Sequence, residues 1–299
     1  MNGSTIVSIS RCNELFSTET RHPLATLIEL PVTAALDAAT RFGFHTVWLK
    51  SGCGCCASDL GWKGYDFSDA VLVALEPGEA VGEELCRTEC CGECGHLLCF
   101  HSSLTPVLQD DRRKGGYGFF GYRKSEALHL SQREWIVLEH EMERIDEELR
   151  WGIDESTHRI VGERISLFLD YVTRFYRRQF ITRHDSCTEA VRMVDRWLQK
   201  FFVSGMAQYS EIPSVRFFAG RWGCSEAYFD DMLRAETGKY TSEYVDCKRV
   251  AFAEAMLKRR DKSLSEVAVQ LGFPTDRAFR IFFERLEGRR PEDILFGRK

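Results

Sequence analysis

The stretch SLSEVAVQLGFPTDRAFRIFFERLEGRRP, residues 263–291, decides the fold of the C-terminal part of this chain. Ser263 and Glu266 form a capping box, which predicts the start of a short helix. Gly272 predicts a tight turn, because a residue without a Cβ tolerates a positive φ. A second helix then follows and ends at Gly288. A helix, a tight turn and a second helix in this order are typical of a helix-turn-helix unit.

The same pattern occurs once more in the chain, about 50 residues earlier. Phe229 stands 50 residues before Phe279, and Gly238 stands 50 residues before Gly288. Ser225 is the expected N-cap of the second helix of this earlier unit. The repeat predicts two helix-turn-helix units in tandem. Three helices follow from it: the second helices of the two units, at about residues 226–236 and 275–286, and a connecting helix at about residues 241–259.

The distribution of charge supports a nucleic-acid-binding function for this part of the chain only. The net charge of the whole chain is −5, which argues against binding to nucleic acid. Residues 200–299, however, contain 18 Lys and Arg against 15 Asp and Glu, whereas residues 1–199 contain 22 against 30. A basic module behind an acidic remainder is typical of a DNA-binding domain joined to another domain. We therefore expect the two second helices to enter successive major grooves, about 34 Å apart.

On this interpretation, basic side chains pair with phosphates and outward side chains of the second helices read bases. The residues predicted to contact DNA are Ser225, Glu226, Ala227, Arg234, Thr275, Arg277, Arg280 and Arg285. For Arg277 and Arg280 the alternative is an ordinary solvated surface charge. Asp230 and Asp231 would repel phosphates, so we expect them at a solvated rim, unless one accepts from a cytosine or caps a backbone group.

The front of the chain has a different pattern. Short apolar runs separated by Gly-containing turns predict strands at residues 45–50, 70–75 and 96–101. Strands of this length and spacing are typical of a small β-sandwich or barrel.

A capping box from Ser131 to Glu134 marks a change to helical periodicity. Apolar residues at alternating spacings of three and four continue to Leu149, and further helices are predicted at about 163–178 and 188–203. The apolar stripe up to Leu149 suits the core of the domain and also a dimer seam, and both can hold at once.

The expected fold class is therefore α+β. It comprises a β-sandwich or barrel over residues 1–128, a helical linker or dimerisation segment over 129–205, and an all-α DNA-binding domain over 206–299.

The 12 cysteines are numerous for an intracellular protein. The chain starts without the pattern of a signal peptide and lacks an apolar run of membrane-spanning length, so we expect a cytoplasmic protein with mostly reduced thiols. Two C-x2-C pairs would suit a four-thiolate site for Zn²⁺ or another soft metal ion. The predicted ligands are Cys53, Cys56, Cys91 and Cys94. Reversible thiol oxidation and plain surface thiols are the alternatives.

The stretch FFAGRWGCSEAYFDDMLRAETGKYTSEYVDCKRVAFAEAMLKRRDKSLSEVAVQLGFPTDRAFRIFFERLEGRRPEDI, residues 217–294, resembles the AraC/XylS family of bacterial transcription regulators. The resemblance implies two helix-turn-helix subdomains joined by a long helix. FGFHTVWLK and GHLLCFHSSL resemble, more loosely, the cupin-like sensory half of that family. The resemblance implies a regulator, such as an activator, that binds double-stranded DNA as a homodimer, responds to an effector and contacts RNA polymerase. The sequence departs from the family at Asp231, Ile281 and Glu284, where a basic residue is common.

Two enzymatic alternatives fit the sequence poorly, and we expect no enzymatic activity. A metal-dependent cupin enzyme normally begins its ligand set with His-x-His, whereas His96 and His101 are five residues apart and His22 and His45 are isolated. A cysteine alkyl-transfer repair protein also joins a thiolate site to a module of the AraC type, but its paired motifs are absent here.

Overall fold

The computed structural model describes residues 5–30, 37–51, 60–82, 95–108 and 116–296. The chain forms two compact units, which divide between Arg183 and His184. None of the helices in these ranges has the length and apolar character that crossing a bilayer requires.

The first unit is built on an antiparallel sheet. Its described strands are β1 (Thr5–Ile6), β2 (Ala25–Leu30), β3 (Arg41–Phe42), β4 (His45–Ser51), β5 (Ala70–Leu75), β6 (Gly95–Phe100) and β7 (Leu128–Leu130). The main sheet has the order β2-β6-β4-β5-β7, and β1 pairs with β3 in parallel. The three strands predicted from the apolar runs are confirmed as β4, β5 and β6. Within the described residues the sheet is open, with β2 and β7 at its edges, and the closed cupin-like barrel stays a prediction.

The central strands β4, β5 and β6 are buried along almost their whole length. All six residues of β5 are buried. On one face Trp48 and Leu97 join a cluster that includes Cys12 of helix α1 (Ile9–Leu15). Helices α2 (Gln132–Arg150) and α3 (Thr157–Thr182) pack against the edge strands of the sheet, α2 against β2 and β7 and α3 against β7. A strand with no solvent-facing side has no reason to alternate polar and apolar residues.

Helix α2 begins at the predicted capping box. Ser131 Oγ accepts a hydrogen bond from the backbone N–H of Glu134, and the Glu134 carboxylate accepts one from the backbone N–H of Ser131. Leu138, Met142 and Ile145 on the predicted stripe are completely buried, and α2 packs against α3 and β2. The stripe therefore forms part of the core of the first unit, which is one of the two interpretations that its spacing allowed.

The second unit is entirely helical in its described part. Its helices are α4 (His184–Val203), α5 (Val215–Trp222), α6 (Glu226–Thr237), α7 (Thr241–Arg259), α8 (Leu264–Gln270), α9 (Asp276–Glu287) and α10 (Pro291–Phe296). Helix α4 packs through Trp197 against the rings of Phe217 and Phe218, which belong to α5. The predicted helical segment 129–205 spans α2, α3 and α4, of which α4 lies in the second unit. The three-part division of the chain stays a prediction.

Candidate nucleic-acid interface

Helices α8 and α9 form a helix-turn-helix unit with capped ends. The capping box at Ser263 and Glu266 is present at the start of α8. Gly272 occupies the turn with a φ of +77°, a conformation that costs other residues energy. Thr275 caps α9 by accepting a hydrogen bond from the backbone N–H of Ala278 at 3.1 Å. Gly288 ends α9 with a φ of +70°.

The two helices of this unit pack together around small and aromatic buried residues. Ala268 of α8 has no exposed surface, and neither do Phe279 and Phe283 of α9. A larger side chain at residue 268 would push the two helices apart, because protein interiors leave no room for extra methylene groups. The buried rings fix which side of α9 faces inward and therefore which side is left outward.

Helices α5 and α6 form the earlier unit with the same local geometry. Ser225 Oγ accepts a hydrogen bond from the backbone N–H of Tyr228 at 3.2 Å and caps α6. Gly223 provides the turn with a φ of +84°, and Gly238 ends α6 with a φ of +73°. Helices α6 and α9 each contain 12 residues and begin 50 residues apart. The repeat predicted from the sequence is therefore a structural repeat.

The outward side of α6 is largely acidic and is tied to its own domain. Glu226 accepts a hydrogen bond from Arg216 Nε at 2.8 Å, and Ala227 is half-buried. Arg234 donates to the Tyr240 hydroxyl at 2.5 Å and lies over the Tyr240 ring. Of the residues predicted to contact DNA in this unit, Ser225 caps the helix, and the two charged residues take part in contacts within the domain.

Asp230 has a structural role that the charge pattern did not reveal. Its carboxylate accepts a hydrogen bond from the backbone N–H of Thr241 at 2.7 Å, at the first residue of α7. A carboxylate at a helix N-terminus satisfies a free N–H group and interacts favourably with the helix dipole. This is the backbone-capping alternative to the solvated rim expected from the sequence.

The outward side of α9 carries three exposed arginines. Arg277 is exposed, and Arg285 is exposed with its guanidinium 3.9 Å from the carboxylate of Asp246. Arg280 Nε donates to Glu292 Oε1 of α10 at 2.5 Å. In the repeat, the residues of α6 that correspond to these arginines are Ala227, Asp230 and Ala235. The two second helices therefore present different electrostatic surfaces.

Arg249 of α7 has a structural role that the sequence did not reveal. Its guanidinium donates from Nε and Nη2 to the carbonyl oxygen of Leu271, at 2.8 and 2.6 Å. It also lies over the ring of Phe273, with the guanidinium carbon 3.6 Å from the ring centroid. Burial lowers the pKa of Arg249 to about 10, against the opposing effect of Asp246. Arg249 therefore links the turn between α8 and α9 to the connecting helix α7.

The predicted metal ligands Cys53, Cys56, Cys91 and Cys94 lie outside the described residues. Among the described residues there is no group of three or more His, Cys, Asp or Glu side chains that could hold a metal ion.

Three of the histidines considered for a cupin enzyme, His22, His45 and His101, have local partners. His22 Nδ1 accepts a hydrogen bond from the backbone N–H of Leu24, and His101 Nδ1 accepts one from the backbone N–H of Ser103. His45 packs against the rings of Phe100 and Phe120.

Comparison with known proteins agrees with this architecture. A family defined as a helix-turn-helix domain matches residues 218–295. The HTH-type transcriptional activators RhaR of Salmonella arizonae and Salmonella typhimurium are 25% identical over 126 residues, which cover 42% of this chain and 43% of theirs. The chain therefore matches less than half the length of these curated relatives.

Solved structures of ToxT from Vibrio cholerae also align along most of the chain. One covers 91% of this chain and 97% of its own, at 12% identity and a TM-score of 0.30. Another, with an unsaturated fatty acid bound, has 11% identity and a TM-score of 0.28. Scores at this level do not assign a fold.

The C-terminal unit is a DNA-binding domain of the helix-turn-helix class, with two such units in tandem. Over this domain the chain is similar to transcription regulators of the AraC/XylS family.

Proposed function

We propose that this protein is a sequence-specific transcription regulator that places α6 and α9 in successive major grooves of duplex DNA. The observation that carries the proposal is the structural repeat: two capped 12-residue helices, 50 residues apart, each behind a glycine turn. A connecting helix of fixed length between two such units suits a ligand with a fixed helical repeat.

The charges of α6 and α9 indicate that the two helices contribute differently to DNA binding. Helix α9 offers Arg277, Arg280 and Arg285, which suit guanine edges or phosphates. Helix α6 offers mainly carboxylates, which phosphates repel. Base reading therefore depends chiefly on α9, and non-specific affinity for DNA is modest, because few phosphates are neutralised along α6.

The ion pair between Arg280 and Glu292 competes with DNA for the same guanidinium. A carboxylate near the groove also repels the phosphate backbone. We propose that Glu292 lowers the affinity for DNA, because DNA must compete with it for Arg280 and because its charge repels phosphates.

We further propose that the first unit binds an effector and that the chain acts as a homodimer in the bacterial cytoplasm, where the chromosome lies. Activation through contact with RNA polymerase is proposed because the matched RhaR proteins are named as transcriptional activators. An effector alters DNA binding only if its affinity differs between two states of the protein. A closed cupin-like barrel in the first unit belongs to the same proposal.

Selection of duplexes from a randomised DNA pool with the full chain tests the function. The expected product is a sequence with two elements spaced by about one helical turn, 10–10.5 base pairs. Failure to enrich any sequence contradicts the proposal.

Titration of the selected duplex at fixed salt then tests the role of α9. Arg280→Ala is expected to weaken binding by about 1–3 kcal/mol if this side chain contacts a base. Glu292→Gln is expected to strengthen binding. Arg192→Ala, which removes an exposed arginine of α4, is the matched control and should leave affinity nearly unchanged.

A further inference from the structure

An isoleucine lies in the middle of the outward side of α9. Ile281 is 59% exposed, although isoleucine is among the most hydrophobic and most often buried residue types. It stands two residues from Phe279 and two from Phe283, which are completely buried. At about 100° per residue, Ile281 points roughly 160° away from both rings. Ile281 therefore contributes nothing to the core beneath α9 and lies on the outward side of the helix.

Two arginines lie one helical turn to either side of Ile281. Arg277 is four residues before it and Arg285 four residues after it, and both are exposed. Residues four apart share one side of a helix. The outward side of α9 is thus a stripe with a guanidinium, an apolar branched side chain and a second guanidinium. The proposed function brings this stripe against the floor of the major groove.

The major groove offers such a stripe only one apolar group. Guanine, adenine and cytosine present hydrogen-bond donors and acceptors, whereas thymine also presents its C5 methyl group. An isoleucine side chain over a donor or acceptor leaves that polar group without water or partner, which costs free energy. Over a methyl group it buries apolar surface instead. The stiff χ1 of a β-branched residue in a helix also holds its methyl groups in place before binding.

We infer that Ile281 contacts the C5 methyl group of a thymine and makes thymine the preferred base at one position of the binding site. The inference rests on the proposed function and specifies which base one residue reads. The structural repeat sets a boundary on it. The residue of α6 that corresponds to Ile281 is Asp231, whose carboxylate does not suit a methyl group. The thymine preference therefore belongs to the half of the site that α9 reads.

Replacing thymine by deoxyuridine removes the methyl group and changes nothing else in the duplex. The full chain is first used to select its preferred sequence, and each thymine of that sequence is then replaced singly. Affinity is measured by fluorescence anisotropy at fixed salt. We expect one position in the α9 half-site at which deoxyuridine weakens binding about fourfold, the value for one buried methyl-sized group.

The variant Ile281→Ala isolates the contact. It should bind the thymine duplex more weakly than the unaltered chain and should show almost no further loss with deoxyuridine at that position. Val269→Ala is the matched control, because Val269 is a 50% exposed apolar residue of the same unit but lies on α8. It should keep the full deoxyuridine effect. Because Ile281 is exposed, thermal unfolding of the variant should match that of the unaltered chain.

Two results overturn the inference while leaving DNA reading intact. One is selective binding with no thymine whose methyl group matters. The other is an undiminished deoxyuridine effect in Ile281→Ala. If the chain selects no sequence from the pool, the proposed function itself fails and the role of Ile281 fails with it.

Discussion

The guanidinium carbon of Arg249 lies 3.6 Å from the centroid of the Phe273 ring, while Nε and Nη2 of Arg249 both donate to the carbonyl of the neighbouring Leu271. One side chain of the connecting helix α7 thus holds the turn between α8 and α9 by stacking and by two hydrogen bonds. The direction of α9 depends on this turn. Arg249 is therefore a positioning residue for DNA binding, and it needs no contact with DNA to act as one.

Removing this side chain should destabilise the second unit. Arg249→Ala leaves a buried carbonyl without its donors and removes a desolvated cation–π contact, so we expect a loss of about 2–4 kcal/mol in the free energy of unfolding. Arg249→Lys should recover part of that loss, because an ammonium group keeps the charge but not the planar fork. Urea unfolding followed by circular dichroism measures both variants. Arg259→Ala, at the exposed end of α7, is the control; equal stability of all three variants would contradict this role.

Two glycines in the left-handed conformation separate backbone strain from steric overlap. A Cβ at Gly272 would lie 2.5 Å from the carbonyl oxygen of Ala207, whereas a Cβ at Gly288 would meet nothing within 4 Å. Both have a φ near +70° to +77°. Gly288→Ala should cost about 1–2 kcal/mol from strain alone. Gly272→Ala should cost about 1–3 kcal/mol more, because backbone atoms must shift. Thermal unfolding of the pair checks this, and equal losses would refute the close approach.

The sequence predicted the second unit better than the first, for a physical reason. Caps and turns are local, so Ser225, Gly272 and Gly288 could be assigned from their immediate neighbours. The partners of Arg249 and Asp230 could not, because Leu271 and Thr241 reach them only after the helices have packed.

The same limit applies to the apolar stripe of α2. Its spacing fits an internal core and a dimer seam, and the packing against α3 and β2 shows its place in the core, while the dimer seam stays a prediction. The exposed Ile281 is the reverse case, because its significance depends on knowing that Phe279 and Phe283 already fill the core.

Acid should weaken the first unit through one buried histidine. Burial lowers the pKa of His129 to about 4, and Arg183 and Arg178 act in the same direction while Asp66 opposes them. Neutral His129 donates from Nε2 to the carbonyl of Leu60 at 3.2 Å. Between about pH 6.5 and pH 4, His129 is protonated in the unfolded chain but neutral in the folded chain. The free energy of unfolding therefore falls as the pH drops over this range.

The loss over that range should be on the order of 2–3 kcal/mol, since each unit of pKa difference is worth about 1.4 kcal/mol. Urea unfolding at a series of pH values measures it. His129→Gln should be less stable at neutral pH but should lose less stability on acidification. His101→Gln, with an exposed imidazole, is the control and should retain the original pH dependence. A His129→Gln variant that shows that same pH dependence would rule out this histidine as its source.

The two cysteine-bearing segments adjoin neighbouring strand ends. Strand β4 ends at Ser51, β6 begins at Gly95, and the antiparallel register pairs Lys50 with Gly95. Strands β4 and β6 are therefore antiparallel neighbours. The chain leaves β4 and enters β6 at the same end of the sheet.

A four-thiolate site predicts about one equivalent of Zn²⁺ or another soft metal ion in protein purified under reducing conditions. Cys91→Ser combined with Cys94→Ser should abolish that metal, because two thiolates do not complete a tetrahedral site. Cys247→Ser is the matched control, since Cys247 is an isolated, half-buried thiol of α7 and should not alter the metal content. Elemental mass spectrometry measures the metal content of the unaltered chain and of both variants. A metal content equally low in the unaltered chain and the double variant contradicts the metal site and leaves reversible oxidation and plain surface thiols as the alternatives.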